Sequence, residues 1–257
     1  MNHSPGVTMR IASVSTIAAA TFAIGCAETE EAQPPAGEGL AAGEYPGAVA
    51  ADPARYAVEF ENDAVRLLRI TYGPGERSVM HRHPPTCSIA LGDASWRMTD
   101  AEGEVTDDTT ALGEVECGDE ESIHLPENPG SVENELILVE FKDGATAGTD
   151  VEPELPAATE VDAEHYSVEF ENDVARIVRV SYGPGETSVM HSHPAHCVVF
   201  LGSQPVTFEL PSGEVMEPEA LDAGSVVCMD AEAHRPTNVG DAPLEVVLVE
   251  LKGRATL

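Results

Sequence analysis

The chain has 257 residues, 42% hydrophobic and 5% aromatic, which is enough for two modest domains with their own cores and is not the composition of a disordered chain. Its formal charge of -33 comes from 46 acidic against 13 basic residues, with Lys142 and Lys252 the only lysines. Clustered Lys and Arg, which phosphate neutralisation needs, are missing, and this excludes nucleic acid as a partner. The acidity reads either as a solvated surface that keeps the protein soluble or as adaptation to high salt, where screening removes the self-repulsion.

In chain order, the first element is an export signal over residues 1–25: Arg10, then an apolar stretch from Ile11 to Ile24, then Gly25. The stretch is too short and wrongly flanked for a membrane-spanning helix. Ala23-Ile24-Gly25-Cys26 resembles the lipobox of bacterial lipoproteins, with Ala23 where the usual residue is Leu. That resemblance implies acylation of Cys26, contact with a membrane only through this lipid anchor, and a periplasmic or cell-surface location. Residues 26–50, rich in Ala, Glu, Pro and Gly, read as a flexible tether.

The rest of the chain is one unit written twice. Tyr56 to Cys87 lies on Tyr166 to Cys197 without a gap, with roughly two-thirds of the positions identical. The match returns at Leu138-Val139-Glu140-Phe141-Lys142 and Leu248-Val249-Glu250-Leu251-Lys252. This predicts a first domain over residues 51–143, a linker over 144–162 and a second domain over 163–257. Within each copy, short alternating or continuous apolar runs such as Val65 to Tyr72 and Val198 to Leu201 are bounded by Gly, Pro, Asn and Asp. These are strands, and their density predicts an all-β sandwich or jelly roll.

Both copies carry the same chemistry-bearing residues. His81 and His83 stand two apart in a strand-like segment, so their side chains leave one face and can converge on one ion; His191 and His193 do the same. Pro84 and Pro194 then end each strand. His124 and His234 occupy matching places, followed by Asn128 and Asn238. Six of the nine histidines thus belong to one constellation used twice. His3 and His165 read as background, Trp96 as a packing or rim residue, and Glu59, Glu61, Glu169 and Glu171 as a solvated strand face.

These residues resemble the two motifs of the cupin superfamily. Gly75, His81 and His83 match the first motif, as do Gly185, His191 and His193. Gly224, His234 and Asn238 match the second, and Gly113, His124 and Asn128 match it more loosely. The chain resembles a bicupin, which implies two tandem jelly-roll β-barrels. It also implies a divalent transition metal, with Zn, Fe or Cu suited to the donors, held by three histidines per barrel. A small polar ligand at the barrel mouth and pairing of barrels, within the chain or as a homo-oligomer, are further implications. Cupins with this signature act as oxygenases, isomerases or hydrolytic enzymes, or only bind a metal or ligand.

Where the family has its ligand Glu, this chain has Cys87 and Cys197, and Asp230 and Glu232 stand in place of the Pro and Gly of the second motif. Three roles are open for the cysteines. Cys87 and Cys197 are candidate fourth ligands; or they pair with Cys117 and Cys228, each four residues after Gly113 or Gly224 and expected on a neighbouring strand of a cupin barrel; or all four are buried thiols. His196 has Thr86 as its counterpart, so the second centre is expected to differ from the first.

Overall fold

The structure, a computed structural model, describes residues 44–149 and 155–257; the signal segment, Cys26 and His3 lie outside them. In the first copy β1 (Tyr56–Glu61), β2 (Val65–Tyr72), β4 (Thr86–Ala90), β7 (Val115–Gly118) and β9 (Asn134–Phe141) form a sheet in the order β1-β2-β9-β4-β7. A second sheet, β3-β8-β5-β6, contains β3 (His81–His83), β5 (Ala94–Asp100), β6 (Val105–Thr110) and β8 (Ser122–Glu127). Leu68, Ile70, Tyr72, Trp96 and Leu138 fill the space between them.

The second copy repeats the plan. Its larger sheet, β10-β11-β17-β13-β15, is built from β10 (Tyr166–Glu171), β11 (Ala175–Tyr182), β13 (His196–Phe200), β15 (Val226–Met229) and β17 (Leu244–Leu251). The smaller sheet, β12-β16-β14, has β12 (His191–His193), β14 (Val206–Glu209) and β16 (Glu232–Asn238). The counterpart of β6 is reduced to isolated bridges from Val206 to Glu219 and from Glu209 to Val215.

Each larger sheet is apolar on both faces, which is why β2 and β9 read as nearly continuous apolar runs rather than clean alternation. Alternate side chains of β2 serve different cores: Leu68 and Ile70 enter the barrel, while Val65 and Leu67 point out of it. The outward residues of the two copies meet in one cluster that holds Leu67, Ile89, Val139, Ile177, Val199 and Val249. Phe141 stacks on Phe170 across this contact with ring centroids 5.7 Å apart.

The rim of the contact is reciprocal. Arg69 donates to the Gly224 carbonyl at 2.6 Å, and Arg179 donates to the Gly113 carbonyl at 2.5 Å. Gly113 and Gly224 have φ of 80° and 82°, a left-handed backbone that suits glycine. A Cβ on Gly113 would also lie 2.9 Å from the Leu201 side chain of the other barrel. The left-handed backbone explains the glycine at both places, and the close approach adds a second reason at Gly113.

The described structure of each copy begins earlier than the repeated text. α1 (Ala48–Ala51) and α2 (Ala158–Val161) are single helical turns preceded by short straps, in which Arg82 and Ser192 donate backbone N–H groups to the Pro46 and Pro156 carbonyls, each at 3.0 Å. Composition assigns these residues to a tether and a linker. In the structure they are tied to the strands that carry the histidines.

A shared core couples the two barrels energetically. Ile177→Ala, which empties a fully buried position in it, is expected to cost about 2–5 kcal/mol. Calorimetry of the parent chain should give one unfolding transition for both barrels, and two separable transitions would show independent cores.

Candidate metal centres

Strand periodicity and register place the histidines. In His81-Arg82-His83 the imidazoles enter the barrel while Arg82 turns outward to Glu121 at 2.9 Å. β3 pairs with β8 so that His81 lies opposite His124, and β12 pairs with β16 so that His191 lies opposite His234. The ligand atoms of His81, His83 and His124 all lie within 4.8 Å of one another, as do those of His191, His193 and His234. Only His124 of the six is half-buried; the others are buried.

The Nδ1 atoms decide which lone pairs are free. His81 Nδ1 donates to the Val79 carbonyl at 2.7 Å and His83 Nδ1 donates to Glu140 at 2.8 Å. In the second barrel His191 Nδ1 donates to the Val189 carbonyl at 2.9 Å and His193 Nδ1 to Glu250 at 2.7 Å. Both rings of each pair therefore turn Nε2 toward the centre. These atoms are 3.0 Å apart in the first barrel and 2.9 Å apart in the second.

Two imidazoles bound to one ion with bonds of about 2.1 Å put their nitrogens about 3.0–3.4 Å apart, so the donors present fit a metal. The protonation states agree. Burial, with a contribution from neighbouring histidines, holds His81 down to about 4, His124 to about 3 and His191 to about 3, leaving neutral ligands at neutral pH.

Behind each centre stands a buried carboxylate that sequence reasoning did not single out. Glu140 is held by His83 and by Arg66 at 3.3 Å; Glu250 is held by His193 and by Arg176 at 2.6 Å. Burial alone would raise the Glu250 carboxyl, but the His193 hydrogen bond and the Arg176 charge outweigh it and hold it below the ordinary range. Such carboxylate–histidine pairs orient a metal-binding ring and increase its basicity. Tyr56 is also close, its hydroxyl 2.9 Å from His81 Nε2 and 2.9 Å from the Tyr72 hydroxyl; Tyr166 is 3.2 Å from His191 Nε2. The signal that could have found these residues is their identity in both copies.

The cysteines are not part of the centres. Cys87 bonds Cys117 with sulfurs 2.03 Å apart, and Cys197 bonds Cys228 at 2.00 Å, each pair directly opposed across adjacent strands. Cys87 and Cys197 lie in the core shared by the barrels, on the sheet face turned away from the histidines, with Cys228 packed against that core and Cys117 at its exposed edge. A fourth ligand from Cys87 or Cys197 is incompatible with this geometry, because the odd positions of β4 point out of the barrel and the thiolate is consumed in a bond. Thr86 and His196 occupy the inward face instead, with the His196 ring 5.1 Å from that of His193.

Other sequence candidates have structural roles. Asn128 donates to the Tyr72 and Val132 carbonyls at 2.9 and 2.7 Å and braces the loop after β8; Asn238 does the same at the Tyr182 and Ala242 carbonyls. Trp96 is buried against Tyr72. His165 stacks on Tyr182 and contacts Asp162.

No family model matches the chain, and no curated protein matches it. Among solved structures, a cupin 2 conserved barrel domain protein from Leptotrichia buccalis is 10% identical, over 77% of this chain and 88% of that one, with a TM-score of 0.51. Oxalate decarboxylases from Bacillus subtilis and Lactobacillus farciminis are 17% and 16% identical, cover 74% and 79% of this chain and 70% and 82% of theirs, and give TM-scores of 0.48 and 0.45. By fold, the chain is a tandem pair of cupin barrels.

Two outcomes follow from this geometry. Replacing both Cys87 and Cys117 with Ala should remove the constraint on a loop of sequence separation 30, worth ~3–4 kcal/mol on the chain-entropy model. Metal stoichiometry should stay the same, and loss of one metal per chain would restore the thiolate reading. The second outcome concerns pH. His196 is held down to about 4 by burial and by His193, so below the ordinary value near ~6.5 the unfolded chain takes up a proton that the folded chain refuses. Stability of the chelator-treated protein should fall as pH drops from 6.5 toward 4. The fall in melting temperature should be smaller in His196→Thr, which installs the residue of the other copy; equal falls would exclude this account.

Proposed function

We propose that this bicupin is an exported metal protein with one divalent transition metal in each barrel and a small polar molecule as its ligand at the metal. The observation that carries the reading is the pair of three-histidine groups in which the Nδ1 atoms of the first two histidines are already engaged, turning their Nε2 atoms toward one centre. In each barrel His81, His83 and His124, or His191, His193 and His234, would hold the ion. Three protein ligands leave coordination positions open, and a bound metal there supplies Lewis-acid or redox chemistry.

The chain's own residues define what the open side can do. The hydroxyls of Tyr56 and Tyr166 lie 2.9 and 3.2 Å from Nε2 of His81 and His191 and are positioned to hydrogen-bond a ligand oxygen. Burial of the rings restricts access and favours a compact ligand. Zn, Fe and Cu all suit imidazole donors, and oxygenase or isomerase chemistry is the reaction class proposed. Export, with a lipid anchor at Cys26, rests on the apolar segment before it.

A non-catalytic metal- or ligand-binding surface lipoprotein is the second reading, and one observation favours it. The buried carboxylates beside the histidines are committed: Glu140 to His83 and Arg66, Glu250 to His193 and Arg176. Among the described residues neither barrel holds a buried carboxylate left over as a general base.

Metal analysis of the untagged chain should find about two ions per molecule, falling to about one in His81→Ala and in His191→Ala, and to none in the double variant. No bound metal in the parent would end the proposal. Oxygen uptake on a substrate panel, lost in the double variant, would select the enzyme; unchanged uptake throughout would select the binding protein.

A further inference from the structure

The two centres share four of their supporting contacts and differ in a fifth. In each barrel the first histidine is held by a backbone carbonyl, the second by a glutamate backed by an arginine, and a tyrosine hydroxyl approaches the first. The third histidine is treated differently. A Glu232 carboxylate oxygen lies 2.9 Å from His234 Nδ1, and Glu232 stands two residues earlier on the same strand and therefore on the same face. Ser122 stands at that place in the first barrel, where both residues are opposite the second histidine of their own pair, His83 or His193. Among the described residues His124 has ring contacts with His81 and His83 and no hydrogen bond to either nitrogen.

A third histidine without a partner can rotate and can present either tautomer, so part of the free energy of metal binding is spent in fixing it. A ring held by a carboxylate is already oriented, and the carboxylate makes it a stronger ligand.

We infer that the barrels are ranked in metal affinity, with the second filled first, and that Glu232 is the positioning residue that sets the ranking. The inference rests on the reading of both histidine groups as metal centres. The size expected is that of an outer-sphere partner, about 10–100-fold in affinity. His196 adds a further buried imidazole on the same side of the second centre, but its donor atoms lie outside the group of three.

The test uses Zn(II) and a chromophoric chelator in competition with the full chain. His81→Ala leaves only the second centre and His191→Ala leaves only the first, so each affinity is read separately. The His81→Ala chain should bind Zn(II) at least about ten-fold more tightly. Adding Glu232→Ser to it should remove most of that advantage, and adding Ser122→Glu to the His191→Ala chain should raise its affinity in the opposite direction. Circular dichroism of each variant identifies any that fail to fold, and the Ser122→Glu arm keeps the inference testable if Glu232→Ser does. Equal affinities of the single-site chains, or a ranking untouched by either exchange, would overturn the inference while leaving the metal reading standing. Absence of Zn(II) binding in both would overturn both.

Discussion

The centres depend on a carboxylate placed where water cannot reach it. Glu140 and Glu250 lie on the inward face of the last strand of each barrel, buried, and a lone ionised carboxylate in such a place is costly. Each is made tolerable by an arginine on one side and an imidazole N–H on the other. The arrangement orders events: the arginine keeps the carboxylate charged, the carboxylate fixes the ring, and the fixed ring aims its remaining lone pair at a neighbour that has been aimed back by a backbone carbonyl. Taking away the arginine would disturb a centre that it does not touch.

Strand alternation separates this chemistry from the covalent scaffold. Along β4 and β13 the inward side chains approach the histidines, while the next residue in sequence turns into the core between the barrels and forms a disulfide. The sulfur and the imidazole are close in the chain and lie on opposite faces of one sheet. Oxidation of the cysteines therefore strengthens the frame without changing the donors of the centre.

Much of this was readable in the amino-acid order. The duplicated text gave the two domains, and His-x-His at a spacing of two gave a shared face. The limits were physical. Cys87 follows His83 where a ligand would be sought, and only the pairing of β4 with β7 reveals which face it takes. Glu140, Arg66 and Tyr56 are far from the histidines in sequence and meet them only through barrel closure; identity between the copies marks them, but so does it mark residues that merely pack. The straps before β1 and β10 carry the Pro, Gly and Ala of a linker, and their backbone pairing is invisible to composition.

The reciprocal reach of Arg69 to Gly224 and of Arg179 to Gly113 gives the chain the internal symmetry of a dimer. In a dimer of identical subunits, any substitution appears in both halves at once, and an unfavourable effect in one half cannot be avoided by the other. Joining the halves in one polypeptide removes that constraint. Thr86 and His196, or Ser122 and Glu232, can then diverge while the interface that both halves share is kept, so the pseudo-dimer has the stability of a symmetric assembly and the freedom to make its two interiors different.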